Sequence, residues 1–478
     1  VKYLKKDYVI KGYLFPDASG KPVPPAPQSS MSGDSHGKTY NKDLGSKVDL
    51  KKYITAESDY KVELKNKIKR KVLPNGVIIL AMQNPNFDIV AVKGTLLAGP
   101  AFDKKGKYGL ATLTVSCLGY GTTTRDKQKI EVEKDLISLR GDIDTGLETV
   151  TFNYSMVSNQ YDPAMALVSD FIINPTFPEK HFNQQKMSFL MYHQQLAQSP
   201  DELVGKTFKK LLYGEGHPYS HYQYGDAAEF KTLTLEDVKQ FHKDNYGPEN
   251  CIIGVVGPQS PNELIRVIEK YFGKWSKTGK VNKVDFGDMK PLDGIKEKSI
   301  SLPGRTQTNI RMGWPGIKVG DEDYYPLMIL NFVMGGGSLS SRLGSEIRVK
   351  SGLAYSVHSY IHPRTFKGSI NIVTSTQAGN EELVKKKIIM VIKEIIKNGI
   401  SDEELFISKQ YMINSSPRSM ETNGQLVGSI EYMEYMNLGM DYYDNYTDKI
   451  KKVTSEDIKR VAKKYLDTEK YIWVQVGP

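Results

Sequence analysis

Two stretches of this chain, 220 residues apart, are versions of one another. Thr234 to Pro258 reads TLEDVKQFHKDNYGPENCIIGVVGP, and Thr454 to Pro478 reads TSEDIKRVAKKYLDTEKYIWVQVGP. They align without a gap, and ten of the 25 positions are identical. Each opens on a threonine with an aspartate three residues later, the signature of a capped helix, and each closes on an apolar strand ending in Val-Gly-Pro. A repeat of this length means one architecture built twice. The 478 residues suffice for two or three domains with their own cores. The expectation is therefore two tandem homologous α+β domains, at about 67–277 and 295–478, joined by a linker at 278–294.

Residues 1–66 do not read as a domain. Tyr8 to Phe15 is strand-like, and the stretch after Pro16 is rich in proline, serine and glycine, as an extended linker is. Hydrophobic residues make up 39% and charged residues 25%, as in ordinary globular chains. No run of about 18 apolar residues occurs, so no membrane span is expected. The formal charge is +10, but the lysines are scattered among acids, which argues against nucleic acid as a partner. The only cysteines, Cys117 and Cys251, sit among apolar neighbours, which rules out a disulfide scaffold.

The stretch with most chemical content is Gly335 to Val357, GGGSLSSRLGSEIRVKSGLAYSV. The glycines Gly335, Gly336 and Gly337 permit a tight turn lying close to its neighbours. Ser338 is placed to cap a short helix with Leu339, Leu343 and Ile347 as its apolar stripe. Gly352 ends that helix, and Leu353 to Val357 alternates as a strand. Arg348 and Tyr355 are then positioned to converge, and a guanidinium beside a phenol suits a peptide carbonyl or a developing oxyanion. The plainer alternative is a helix–turn–strand corner with a surface arginine and a core tyrosine.

This stretch resembles the pitrilysin/insulysin family of zinc peptidases, the inverzincins. So do LPNGVIIL, GLATLTVSCLGYGTTTR, NPTFPE, YGEGHPY and the repeated unit, in that order along the chain. The resemblance implies two domains, each a mostly antiparallel sheet with helices packed against one face. It also implies the C-terminal, non-zinc half of a bacterial tandem peptidase, with Val1–Pro16 the last strand of a preceding half. In the family's catalytic half the segment after Gly-Leu-Ala carries His-x-x-Glu-His, two zinc ligands and the base. Here Thr112 stands at the first ligand position, Val115 at the base and Ser116 at the second ligand. No glutamate lies between Lys180 and Pro200 to serve as the third ligand. The resemblance thus implies no metal or cofactor in this chain, with zinc in a homologous partner half. Arg348 and Tyr355 would hold unfolded peptides over that zinc, with the glycine loop beside them, and the chain alone would be inactive. Exported bacterial relatives suggest the periplasm or cell envelope.

Two alternatives stand beside this reading. One is a separate non-catalytic subunit of a heterodimer, as in the mitochondrial processing peptidase. The other is a scaffold or binding protein without protease activity, like the core subunits of respiratory complexes, which has no need of the Arg348–Tyr355 pair. The histidines form no competing site. His217 and His221 flank Pro218 in a loop, and His358 and His362 are separated by four strand rises, over about 10 Å. His242 is expected on the exposed face of its helix. The glycine loop lacks the lysine of a phosphate-binding P-loop.

Overall fold

A computed structural model describes residues 60–478; the Tyr8–Phe15 strand and the stretch after it lie outside the described residues. The first repeat forms a six-stranded sheet of β1 (Ile68–Val72), β2 (Ile78–Gln83), β3 (Ile89–Leu96), β4 (Arg140–Thr145), β5 (Val150–Val157) and β6 (Cys251–Gly257). The second forms a five-stranded sheet of β7 (Lys296–Ser301), β8 (Gln307–Pro315), β9 (Ala354–His362), β10 (Ser369–Gln377) and β11 (Ile472–Gly477). Their orders are β1-β2-β6-β3-β5-β4 and β7-β11-β8-β10-β9. Each contains one parallel pair, β2 with β6 and β7 with β11; every other pairing is antiparallel. The second sheet therefore repeats the first without its outermost β1. The repeated units end as β6 and β11, which hold equivalent places. Thr234 and Thr454 each close a reciprocal capping box with Asp237 and Asp457, as the spacing demanded.

Each sheet packs its own repeat's helices on one face, around Leu113, Val168 and Ile268 in the first repeat and Leu327, Ile388 and Val461 in the second. The second face is not open, as one-sided packing implied. The Pro200–Tyr213 helix of the first repeat lays Val204, Phe208 and Leu212 on Ile472, Val474 and Val476 of β11. In exchange, the Asn423–Tyr435 helix of the second repeat lays Leu426, Val427 and Ile430 on Leu80, Ala91 and Val256 of the first sheet. The reason is local: β6 is apolar on both faces, and a strand of that kind must be covered twice. Glycines let the helices settle. A Cβ on Gly254 would stand 2.9 Å from Val427, and one on Gly313 would stand 2.7 Å from the Phe208 ring. Across the first contact, Lys93 of β3 pairs at 2.9 Å with Glu431, a carboxylate only 1% exposed.

Two further expectations are revised. Residues 60–66 are packed rather than loose: Leu64 is buried, its N–H donates to Asp444, and the Tyr60 carbonyl accepts from Thr447. The 278–294 segment carries neither helix nor strand, but Asn282 fastens it by donating to the carbonyls of Leu97 and Asn245.

His242 is also not exposed. Its Nε2 meets the Ile172 carbonyl at 2.8 Å, and its ring packs on Tyr246 and Phe177. Burial pulls its pKa down from 6.5 to about 4, so the fold favours the neutral ring. That contribution is present in full above pH 6.5 and is lost as the pH falls from there through 4. At 1.36 kcal/mol per unit it amounts to about 3 kcal/mol. Urea titrations at pH 7, 5.5 and 4 are expected to show this loss, and His242→Gln to flatten it. An unchanged slope in the variant would assign the acid sensitivity to other groups.

Candidate functional site

The Gly335–Val357 stretch is more irregular than a single helix. Phe332–Gly336 and Gly344–Val349 are each a wide π-helical turn, with a 3₁₀ turn at Ser338–Ser340 between them. Turns of the π type concentrate at functional sites. Ser338 is not the cap; it adopts φ +56° and its side chain caps nothing. Ser341 does that work, its Oγ accepting from Gly344 N–H and its carbonyl accepting from Ser345 N–H. Leu343 and Ile347 are fully buried, but Leu339 is 46% exposed and drops off the stripe.

Arg348 and Tyr355 do converge. The Arg348 guanidinium carbon lies 4.6 Å from the centre of the Tyr355 ring, a cation–π stack. Tyr355 is 81% exposed, so it is not a core tyrosine. The cause is a kink that alternation does not show. Thr374 pairs with Val357, whereas Thr376 pairs with Ala354, so Tyr355 and Ser356 together oppose Ser375. This is a β-bulge, and it turns onto the outer face a side chain that strict alternation would send inward. Buried Thr374 and Thr376 fix it, donating to the carbonyls of Ser356 and Leu353. The glycines sit elsewhere on the same strand. A Cβ on Gly335 would stand 2.6 Å from Ser359 N, four residues from Tyr355, while Gly336 and Gly337 lie against Asn331 and Phe332. Their small size lets the turn press on β9 rather than touch the stacked pair directly.

At Thr112, Val115 and Ser116, which the resemblance aligns with the family's ligands and base, the side chains are engaged within the fold. Thr112 Oγ1 donates to the Gln223 carbonyl at 2.6 Å, and Ser116 Oγ donates to the Leu113 carbonyl at 2.8 Å. Val115 is buried in the first core. A Cβ on Gly109 would stand 2.6 Å from the Tyr224 carbonyl oxygen, so the 223–225 loop closes tightly over this helix. Hydroxyls spent on backbone carbonyls beside a valine do not fit zinc. Among the described residues, no three His, Cys, Asp or Glu side chains come together as a metal cluster.

Comparison with known families identifies the family. Residues 78–218 match the model of the insulinase family, peptidase family M16, and residues 232–411 match that of the peptidase M16 inactive domain. The chain belongs to the M16 peptidase family. It is 26% identical over 411 residues to the uncharacterized zinc protease YmxG of Bacillus subtilis, covering 86% of this chain and 98% of that one. It is also 26% identical over 334 residues to an uncharacterized zinc protease of Rickettsia bellii, covering 70% and 79%. The crystal structure of a peptidase M16 inactive domain from Pseudomonas fluorescens matches with a TM-score of 0.79 at 25% identity, covering 86% and 98%. The periplasmic protease PqqL of Escherichia coli shares the fold, with a TM-score of 0.74 at 15% identity; the match covers 88% of this chain and 46% of that one.

Among the described residues, several histidines of this M16 chain serve packing. His217 accepts from Tyr219 N–H and stacks on Tyr213, and His221 stacks on Tyr108 at 3.6 Å. Burial lowers the pKa of both. His358 and His362 flank Tyr360 on β9. What the sequence did not reveal is the basic surroundings of His362. Burial, and after it Arg364, Arg311 and Lys209, lower its pKa, and those three cations come from three separate segments of the M16 fold.

Proposed function

We propose that this chain is the non-zinc half of an M16 metallopeptidase that degrades unfolded peptides. A homologous zinc-bearing half supplies metal, ligands and base. This chain closes the chamber against it and presents Arg348 and Tyr355 to the substrate. The observation that carries the reading is the stacked, exposed Arg348–Tyr355 pair in a chain whose own ligand positions are filled by Thr112, Val115 and Ser116. A scaffold gains nothing from a bulge that holds a tyrosine out to solvent beside a guanidinium. Stacking restrains both side chains in advance, so their donors need little reorganisation when a substrate carbonyl gains charge. The partner half is either joined covalently, as the double length of PqqL suggests, or a separate subunit, as the YmxG-length relatives suggest. PqqL also motivates a periplasmic location.

The test is zinc content and peptidase activity of this chain, alone and mixed with an M16 zinc half from the same genome. A quenched peptide of about ten residues, about 33 Å when extended, is a suitable substrate. The expected result is neither zinc nor cleavage alone and cleavage on mixing. Stoichiometric zinc with cleavage by the chain alone would overturn the assignment.

A further inference from the structure

The Pro200–Tyr213 helix covers β11 and β8 of the second sheet, but no helix among the described residues packs as closely on the outer face of β10 and β9 beside it. Alternation places His358, Tyr360 and His362 of β9 on that strip, with Asn371 of β10 and Arg311 of β8. Arg311 lies across the helix at Gly205, where a Cβ would stand 3.7 Å from its Nη1, and over the Phe208 ring at 5.9 Å. Lys209 follows Gly205 by one helical turn and shares its side. Arg364, just past the end of β9, stands over the Tyr219 ring at 5.5 Å.

Elsewhere this fold pairs its half-buried cations. Arg125 meets Glu133 and Asp170, Arg342 meets Glu404, and Lys385 meets Glu297 and Glu382. Arg311, Lys209 and Arg364 form no ion pair with any described residue. The nearby carboxylates are engaged by neutral donors: Asp201 accepts from Asn309, and Glu202 from the Tyr222 hydroxyl. Arg311 Nε is buried with no acceptor, and the side-chain oxygen of Asn371, a residue 3% exposed, has no donor. The cations feel one another. Burial, then Arg364 and Arg311, push the Lys209 ammonium down to about 8. Like charges gathered in a partly buried place cost stability unless something neutralises them.

We propose that Arg311, Lys209 and Arg364 form a carboxylate-binding subsite for the peptide substrate, taking its C-terminal carboxylate or an Asp/Glu side chain. This rests on the peptide-handling reading above and adds a specificity to it. The strip favours a peptide over a free ion because it runs along β9 to the bulge. His362 lies seven residues from Tyr355, about 23 Å at strand rise. Arg311 stands level with His358, three residues from Tyr355, so an extended peptide anchored at the cluster reaches Arg348 and Tyr355 about three to seven residues from its carboxylate. Two planar guanidiniums and an ammonium suit such a group.

The test uses the chain on its own and a fluorescein-labelled neutral decapeptide, read by anisotropy. The peptide is made with a free C-terminal carboxylate, as the C-terminal amide, and as the amide with one internal glutamate. The free acid or the glutamate form is expected to bind about tenfold or more tighter than the neutral amide. Arg311→Met and Lys209→Met are expected to abolish that preference while raising the thermal midpoint of the unliganded chain, because each removes repulsion. A purely structural role would lower the midpoint instead and overturn the proposal. Equal binding of all three peptides, or a preference that survives both substitutions, would also overturn it. So would inorganic phosphate displacing the acid peptide at the peptide's own affinity, which would mark a site for free anions. Arg348→Ala is expected to keep the preference, so this subsite and the proposed catalytic role fail separately.

Discussion

Arg348→Ala in the assembled peptidase is expected to lower turnover by about 100-fold, and Tyr355→Phe by a similar factor, the loss typical of removing an oxyanion donor. The two substitutions remove different things. The first removes a charge, a fork of N–H donors and the surface on which the tyrosine rests at 4.6 Å. The second keeps the ring and the stack and deletes only the hydroxyl. Comparable losses in both therefore point to donors acting on substrate rather than to a shared packing defect. Arg348→Lys separates charge from geometry, because an ammonium neither stacks flat nor offers paired donors, and only partial recovery is expected. Tyr355 is largely exposed, so the thermal midpoint should barely move. Steady-state kinetics with one quenched peptide checks all three variants. Turnover near that of the unmodified protein in both Arg348→Ala and Tyr355→Phe would strip the pair of its role.

The largest stability effect is expected at the crossing of the two repeats. Lys93→Met leaves the Glu431 carboxylate, 1% exposed and already short of a partner at one oxygen, with no counter-charge. Breaking a buried pair on one side costs about 3–5 kcal/mol, because the remaining charge stays desolvated. Replacing both partners removes the cause. Lys93→Met with Glu431→Leu is expected to recover most of the loss, since the surrounding Val427 and Gly254 surface is apolar. Urea unfolding of the two single variants and the double variant completes the cycle. If the double variant is as unstable as the singles combined, the pair is not the source of the effect.

The fold was legible because Thr234–Pro258 and Thr454–Pro478 repeat both a cap and a strand, and local signals of that kind survive in sequence. The departure from the family's ligand pattern at Thr112, Val115 and Ser116 was legible, because a change of residue type needs no geometry to be noticed. The convergence of Arg348 and Tyr355 was readable from a short turn, but the outward direction of Tyr355 was not. It depends on a bulge set by Thr374 and Thr376 on a different strand. The edge strand β4, RGDIDT, escaped notice because it has little apolar alternation to show. The exchange of helices was invisible for a related reason. Asn423–Tyr435 looks like any helix with one apolar side, and nothing local says whose sheet that side will meet. The cluster at Arg311 unites residues more than 100 positions apart, so no spacing rule could assemble it.

The crossing of the two helices has a mechanical meaning. A repeat that covered only its own sheet would swing about the 278–294 segment. Here, swinging would strip two apolar helix faces from their seats at once, Val204, Phe208 and Leu212 on one side and Leu426, Val427 and Ile430 on the other. The two sheets are consequently held together by an apolar seat on each side of the segment. On the proposed function, the assembled peptidase is therefore expected to admit its substrate by parting at the seam with its zinc-bearing half rather than through the middle of this chain.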